Sequence, residues 1–152
     1  MPKVTVDDSK GLVQSSGSGF EVSSAMVASD TLAVAGAATL SAALTVAGAA
    51  TLSAALIGGV DTRAEAGAVS LTSVVTLVTT TSARAITLAA GTAGQIKIIM
   101  MTVDGGDATL TPAGGILGGT TTITFGAIGD VVVLVYSGAK WAVASNVGCT
   151  VA

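Results

Sequence analysis

Large apolar residues alternate with small or hydroxylated ones along residues 29–60. The ten-residue string AGAATLSAAL occurs twice without change, at 35–44 and at 47–56, which sets a repeat of twelve residues made of two hexads. Seven large apolar residues of these hexads have even numbers: Leu32, Val34, Leu40, Leu44, Val46, Leu52 and Leu56. A period of two is typical of a β-strand with one buried face.

A helix is the alternative for this segment, because alanine is the best helix former. Placed at about 100° per residue, the seven apolar residues scatter around the whole cylinder, so a helix would have no apolar face to bury. The pattern therefore favours strands. Gly36 and Gly48, twelve residues apart, are predicted to be corners where a Cβ would crowd a neighbouring backbone.

A six-residue apolar period suits a triangular β-helix in which each hexad forms one side. One chain supplies only five hexads, and a single-chain solenoid of fewer than two turns falls below the roughly three repeats that such arrays need. Three chains that share one axis would instead form closed layers. The pattern predicts an intertwined homotrimer with a short triangular β-helix stalk, whose core is formed by the seven even-numbered residues above.

The chain divides by sequence into an N-terminal arm (1–28), the hexad stalk (29–60), a polar linker (61–65) and a C-terminal knob (66–152). The arm carries short apolar clusters around a Gly/Ser run, which is typical of a segment that orders on a partner. A disordered terminus is the alternative. The predicted contact residues of this docking arm are Val4, Val6, Leu12, Val13, Phe20 and Val22.

The knob contains short apolar runs separated by Gly-, Asp- and Ser-rich turns. Strands are predicted over 69–78, 85–88, 96–103, 108–111, 120–125, 131–136 and 141–144. Short strands at this spacing are typical of an antiparallel β-sandwich or small barrel. The predicted fold class is therefore all-β throughout.

Low charge shapes the expected partners. Charged residues make up 10% of the chain and hydrophobic residues 51%, so burial between identical subunits is expected. Three copies at −3 each carry −9, which argues against binding to nucleic acid. The 30 uncharged residues between Asp30 and Asp61 show a two-and-six spacing of large apolar residues, unlike a membrane-spanning helix. No secretory signal is expected at the N-terminus.

Candidate chemistry is sparse. The chain has no histidine, and its one cysteine, Cys149, is expected to be a small buried thiol. Asp104 and Asp107 flank two glycines and are predicted to form a hairpin turn rather than a calcium site. The run 114–121 has the glycines of a phosphate loop but no lysine. No catalytic residue, metal or cofactor is predicted, so the chain is not expected to be an enzyme.

Tyr136 and Trp141 are the remaining candidates for a binding site. A sugar-binding platform is one interpretation of two nearby aromatic side chains. They flank the predicted turn at 137–140, so we expect a cross-strand pair in the core.

The C-terminal runs GQIKIIMMTVDGGDATLTPAGG and GGTTTITFGAIGDVVVLVYSGAKWAVASNVGCTVA resemble a domain found in structural proteins of tailed bacteriophages. The stretch TLAVAGAATLSAALTVAGAATLSAAL is similar to the trimeric stalks of phage fibres and capsid decoration proteins. The resemblance implies a trimeric virion protein, and the chain is expected to be made in the host cytoplasm. It does not choose between capsid and tail.

The arm, short stalk and knob suggest a capsid decoration, or cement, protein. In this interpretation a trimer sits at capsid threefold positions and its arms contact the major capsid protein by strand addition. The alternative is a short head fibre, or a tail-fibre or tail-tip protein, that binds a glycan on the host surface. A third interpretation, a secreted ice-binding or adhesin solenoid, predicts a flat threonine row on a monomer.

Overall fold

The computed structural model describes residues 34, 37–40 and 44–152, and the chain divides into two units, Met1–Ala50 and Thr51–Ala152. The described residues before Val60 form neither helix nor strand in the single chain. The predicted stalk strands would pair with other chains, so the triangular β-helix and the trimer stay predictions. The arm and Leu32 lie outside the described residues.

Ten strands make up the second unit. They are β1 (Val60–Arg63), β2 (Gly67–Ala68), β3 (Val75–Thr79), β4 (Arg84–Leu88), β5 (Ile96–Val103), β6 (Ala108–Pro112), β7 (Ile123–Phe125), β8 (Val131–Tyr136), β9 (Trp141–Val147) and β10 (Thr150–Val151). The described residues contain no helix, which confirms the all-β class. Accordingly, this part of the chain holds no helix able to cross a membrane.

These strands form two open sheets that pack face to face, together called the sandwich. The front sheet has the order β1-β3-β5-β8-β9, and the back sheet has the order β10-β7-β6-β4-β2. Buried residues from both sheets form one core, including Ile99 and Leu134 of the front sheet and Ile86, Leu110 and Phe125 of the back sheet. The sandwich is therefore held together mainly by apolar packing between the sheets.

The first six strands alternate between the two sheets. In the front sheet β1, β3 and β5 are parallel neighbours, and in the back sheet so are β2, β4 and β6. The chain thus winds through both sheets in three successive coils. Only the later strands, β7 to β10, add by antiparallel pairing. The predicted antiparallel sandwich or barrel is wrong in this respect: both sheets are mixed, and neither closes into a barrel.

The connection at Asp104–Asp107 is a corner between coils, and its prediction as a hairpin is wrong. It joins β5 of the front sheet to β6 of the back sheet. A Cβ at Gly105 would lie 2.6 Å from the carbonyl oxygen of Thr80, and one at Gly106 would lie 2.5 Å from the nitrogen of Ala83. The glycines are needed because this corner lies directly on the preceding corner.

Several local predictions are confirmed. The strands expected at 96–103 and 131–136 have the predicted bounds. Tyr136 and Trp141 are buried cross-strand partners with ring centroids 5.1 Å apart, and Cys149 is a buried free thiol. The run 69–78 becomes a strand only at Val75. Three further strands, β1, β2 and β10, lie outside the predicted strands, and β1 covers part of the segment assigned to the linker.

Candidate self-association site

The predicted trimer-core residues that the structure describes are uncovered in the single chain. In the first unit Leu40 is 61% exposed and Leu44 68%, with Val34 and Val46 near one half. In the second unit Leu52 is 64% exposed and Leu56 80%. Burying a side chain of this size contributes about 1.5–3 kcal/mol. In the single chain these six side chains do not make that contribution in full, because each remains about half exposed or more.

The segment that leads from the repeat into the sandwich is also apolar and exposed. Ile57 is 90% exposed and Val60 is 60% exposed. The N–H of Val75 donates a hydrogen bond to the carbonyl of Gly59 at 3.1 Å, which fixes this segment beside β3. A Cβ at Gly58 would overlap the side chain of Val74, so glycine permits the close approach.

An apolar groove lies where this segment meets the front sheet. Its lining includes Leu56, Leu71, Val74, Val75, Ile96 and Ile98. A hexad residue and front-sheet residues therefore share one apolar depression. Within the second unit, the uncovered surface of Leu56 is thus continuous with that of the front sheet.

Carboxylates in the turns of the sandwich accept hydrogen bonds from backbone N–H groups. Asp104 accepts a hydrogen bond from the N–H of Gly106 at 3.0 Å. Asp130 is buried, and its Oδ2 accepts from the N–H groups of Gly126 and Ala127 at 2.7 and 3.0 Å. Across the described residues no three His, Cys, Asp or Glu side chains are grouped as a metal site. These acids therefore close turns.

The glycine-rich loop at 114–119 uses its backbone N–H groups internally. Ile116 donates to the carbonyl of Thr120 at 2.7 Å, Leu117 donates to that of Trp141 at 2.8 Å, and Gly119 donates to that of Ile116 at 3.2 Å. A phosphate cradle needs such N–H groups to point at the ligand. In this loop they instead fasten the loop to itself and to β9.

The side chains of Tyr136 and Trp141 are buried in the core. The indole N–H of Trp141 donates to the carbonyl of Ala89 at 2.9 Å, and its side chain is fully buried. The Tyr136 hydroxyl donates to the carbonyl of Ala139 at 3.2 Å. Neither ring face is therefore free to stack on a sugar.

Lys97 is a buried charge for which the sequence predicted no role. It lies on the inward-facing row of β5 with Ile99 and Met101, and its Nζ donates to the carbonyl of Ser73 at 2.7 Å. Burial lowers the pKa of Lys97, and the nearby charge of Asp61 partly offsets that effect. The sequence signal was a lysine inside an otherwise apolar strand, IKIIMMTV.

Threonines dominate the outer face of the back sheet. Thr109, Thr124 and Thr150 are register partners on β6, β7 and β10, and Thr87 pairs with Thr111 on β4 and β6. This hydroxyl-bearing face lies in the sandwich, outside the repeat that suggested a threonine row. Its polar chemistry contrasts with the exposed apolar residues described above.

The sequence matches no protein-family model, and no curated protein matches it. The resemblance to phage virion proteins therefore rests on the quoted sequence motifs.

Proposed function

We propose that this chain is a structural virion protein of a tailed bacteriophage that acts as a homotrimeric capsid decoration protein. The observation that carries the proposal is the set of hexad residues, from Val34 to Leu56, that the single chain leaves about half to four-fifths exposed. A period-two apolar row without cover needs other chains to bury it. Three copies around one axis provide that cover.

The proposed mechanism is mechanical. A trimer that binds only the assembled shell stabilises that shell by mass action, because its binding free energy must be lost before the shell can open. Three arms on one trimer bind cooperatively, since docking of the first arm raises the effective concentration of the other two. Weak individual contacts thus become a firm attachment.

Attachment is assigned to the arm, residues 1–28. Its apolar clusters, which include Leu12, Val13 and Phe20, would add to a surface of the major capsid protein as an extended segment. The trimer would then bridge neighbouring capsid subunits at threefold positions. The sandwich would lie on the outside of the capsid.

Copy number tests this proposal. The chain would be quantified against the major capsid protein in purified virions by mass spectrometry with labelled peptide standards. A copy number close to that of the capsid threefold sites is the expected result. A handful of copies per particle would overturn decoration, and absence from the virion would overturn the virion assignment.

A short head fibre or tail-tip protein that binds a host glycan is the second candidate. The threonine rows of the back sheet favour it, because hydroxyl groups at strand spacing can exchange hydrogen bonds with sugar hydroxyls. This function predicts few copies per particle and saturable binding of the purified protein to host cells. A variant that carries both Thr109→Val and Thr111→Val should then lose that binding.

A further inference from the structure

The two outer faces of the sandwich have opposite chemistry. Along the front sheet one register row crosses all five strands: Val60, Val75, Ile98, Val133 and Ser145. The next outward-facing row contains Thr62, Leu77, Met100, Val131 and Val147. The corresponding face of the back sheet carries threonine and alanine. Valine, isoleucine, leucine and methionine therefore predominate on one outer face only.

Charged groups of the front strands lie on the opposite side of the sheet. Asp61 and Arg63 are the less exposed residues of β1, and Lys97 is fully buried. Neighbouring residues of a strand point to opposite faces. The outward-facing positions of β1 and β5, which lie next to these charged residues along each strand, therefore carry apolar and threonine side chains. The front sheet thus has two apolar faces, of which one forms the core.

Strands that are apolar on both faces are typical of sheets covered on both sides. The runs IKIIMMTV of β5 and VVVLVY of β8 have this character. In the single chain the second face is only partly covered: Ile96 is 52% exposed and Val147 is 60% exposed. Its chemistry indicates a partner that is likewise uncharged.

The outer face of the front sheet is too small to form a stable interface by itself. Five strands at about 4.8 Å spacing and roughly five residues of overlap give about 300–400 Å² in projection. A stable interface buries about 800 Å² on each partner. The front face therefore needs further apolar surface, which the exposed residues Leu52, Leu56 and Ile57 supply; Leu56 lines the groove with the front sheet.

We propose that the outer face of the front sheet packs against the same face of two further copies of this chain. The trimer interface would then run without interruption from the hexad repeat, through Leu56 and Val60, into the sandwich. The threonine face of the back sheet would point to solvent. This inference rests on the trimer of the proposed function and adds the surface that the sandwich contributes.

Cysteine labelling of the full-length chain tests the proposal. Val133 and Thr109 form a matched pair: both are β-branched, both face outward from an inner strand, and both are half-buried in the single chain. The native Cys149 gives little background, because burial raises the pKa of its thiol to about 11. Val133→Cys and Thr109→Cys would each be treated with a maleimide.

We expect Val133→Cys to react at least tenfold more slowly than Thr109→Cys in the native trimer, and at the same rate in urea. Equal native rates would overturn the proposal. A second pair, Val133→Glu and Thr109→Glu, would be compared by light scattering during dilution. The trimer of Val133→Glu should dissociate at a concentration at least tenfold higher than that of Thr109→Glu. Identical dissociation curves would contradict the proposed contact.

The wild-type mass separates this inference from the proposed function. A monomeric wild-type chain would overturn both. A wild-type trimer that is lost on Leu44→Asp but shows equal labelling at Val133→Cys and Thr109→Cys would leave the trimer standing and overturn only the role of the front sheet.

Discussion

The Nζ of Lys97 lies 2.7 Å from the carbonyl oxygen of Ser73, on the inward side of the front sheet. A buried ammonium is unfavourable unless it is hydrogen-bonded, and this contact supplies one partner. Desolvation nevertheless dominates and lowers the pKa of Lys97 from its ordinary 10.5. The charge of this residue should therefore affect folding in a pH-dependent way.

The free energy of unfolding should reveal that dependence. Between the lowered pKa of the folded state and 10.5, the unfolded chain binds more protons than the folded chain, so stability rises with pH across this window. The added stability is fully present above 10.5 and is lost once the pH has fallen through the pKa of the folded state. Lys97→Met removes the effect. We expect the stability of the wild type relative to Lys97→Met to increase with pH across this window, as measured by urea unfolding at one protein concentration. A constant difference would contradict the assignment.

Gly148 should not tolerate a side chain. Its φ is +80°, and a Cβ there would overlap Oδ1 of Asp130, the buried residue that closes the 126–130 turn. Gly148→Ala is expected to lower the free energy of unfolding by about 1–3 kcal/mol. Gly118→Ala is the control, because Gly118 also has positive φ, at +105°, but faces open space. Equal losses for the two variants would show that overlap with Asp130 contributes nothing.

Leu44→Asp should abolish the trimer. Three carboxylates around one axis would be desolvated and would repel one another. Thr45→Asp is the matched control, since residue 45 is predicted to point away from the axis and residue 44 towards it. We expect sedimentation velocity to give a monomer for Leu44→Asp and the wild-type mass for Thr45→Asp. If Leu44→Asp remains a trimer, the inward assignment of the even-numbered residues is wrong.

Removal of residues 1–22 should separate trimer formation from attachment. The predicted contact residues of the arm lie in this segment, whereas the hexad repeat does not. The truncated chain is expected to keep its trimer mass but not to cosediment with undecorated phage heads, while the full-length chain does. Cosedimentation of both proteins to the same extent would refute the docking role of the arm.

Local patterns identified much of the sandwich because each depends on a few neighbouring residues. The bounds of β5 and β8 follow from apolar runs between turn residues, and the Tyr136–Trp141 pairing follows from a short hairpin turn. The requirement for glycine at position 105 could not be predicted from neighbouring residues. Glycine is required there by the carbonyl of Thr80, a contact that sequence spacing does not reveal.

The sequence by itself determined the all-β class, the position of most strands and the period-two apolar row of the hexads, because strand alternation is a property of consecutive side chains. Only the tertiary structure decided that the first strands run parallel in coils through two sheets, that Lys97 is buried, and that one outer face is apolar while the other is rich in threonine. Those features depend on which strands become neighbours. That choice is made by packing between residues far apart in the chain.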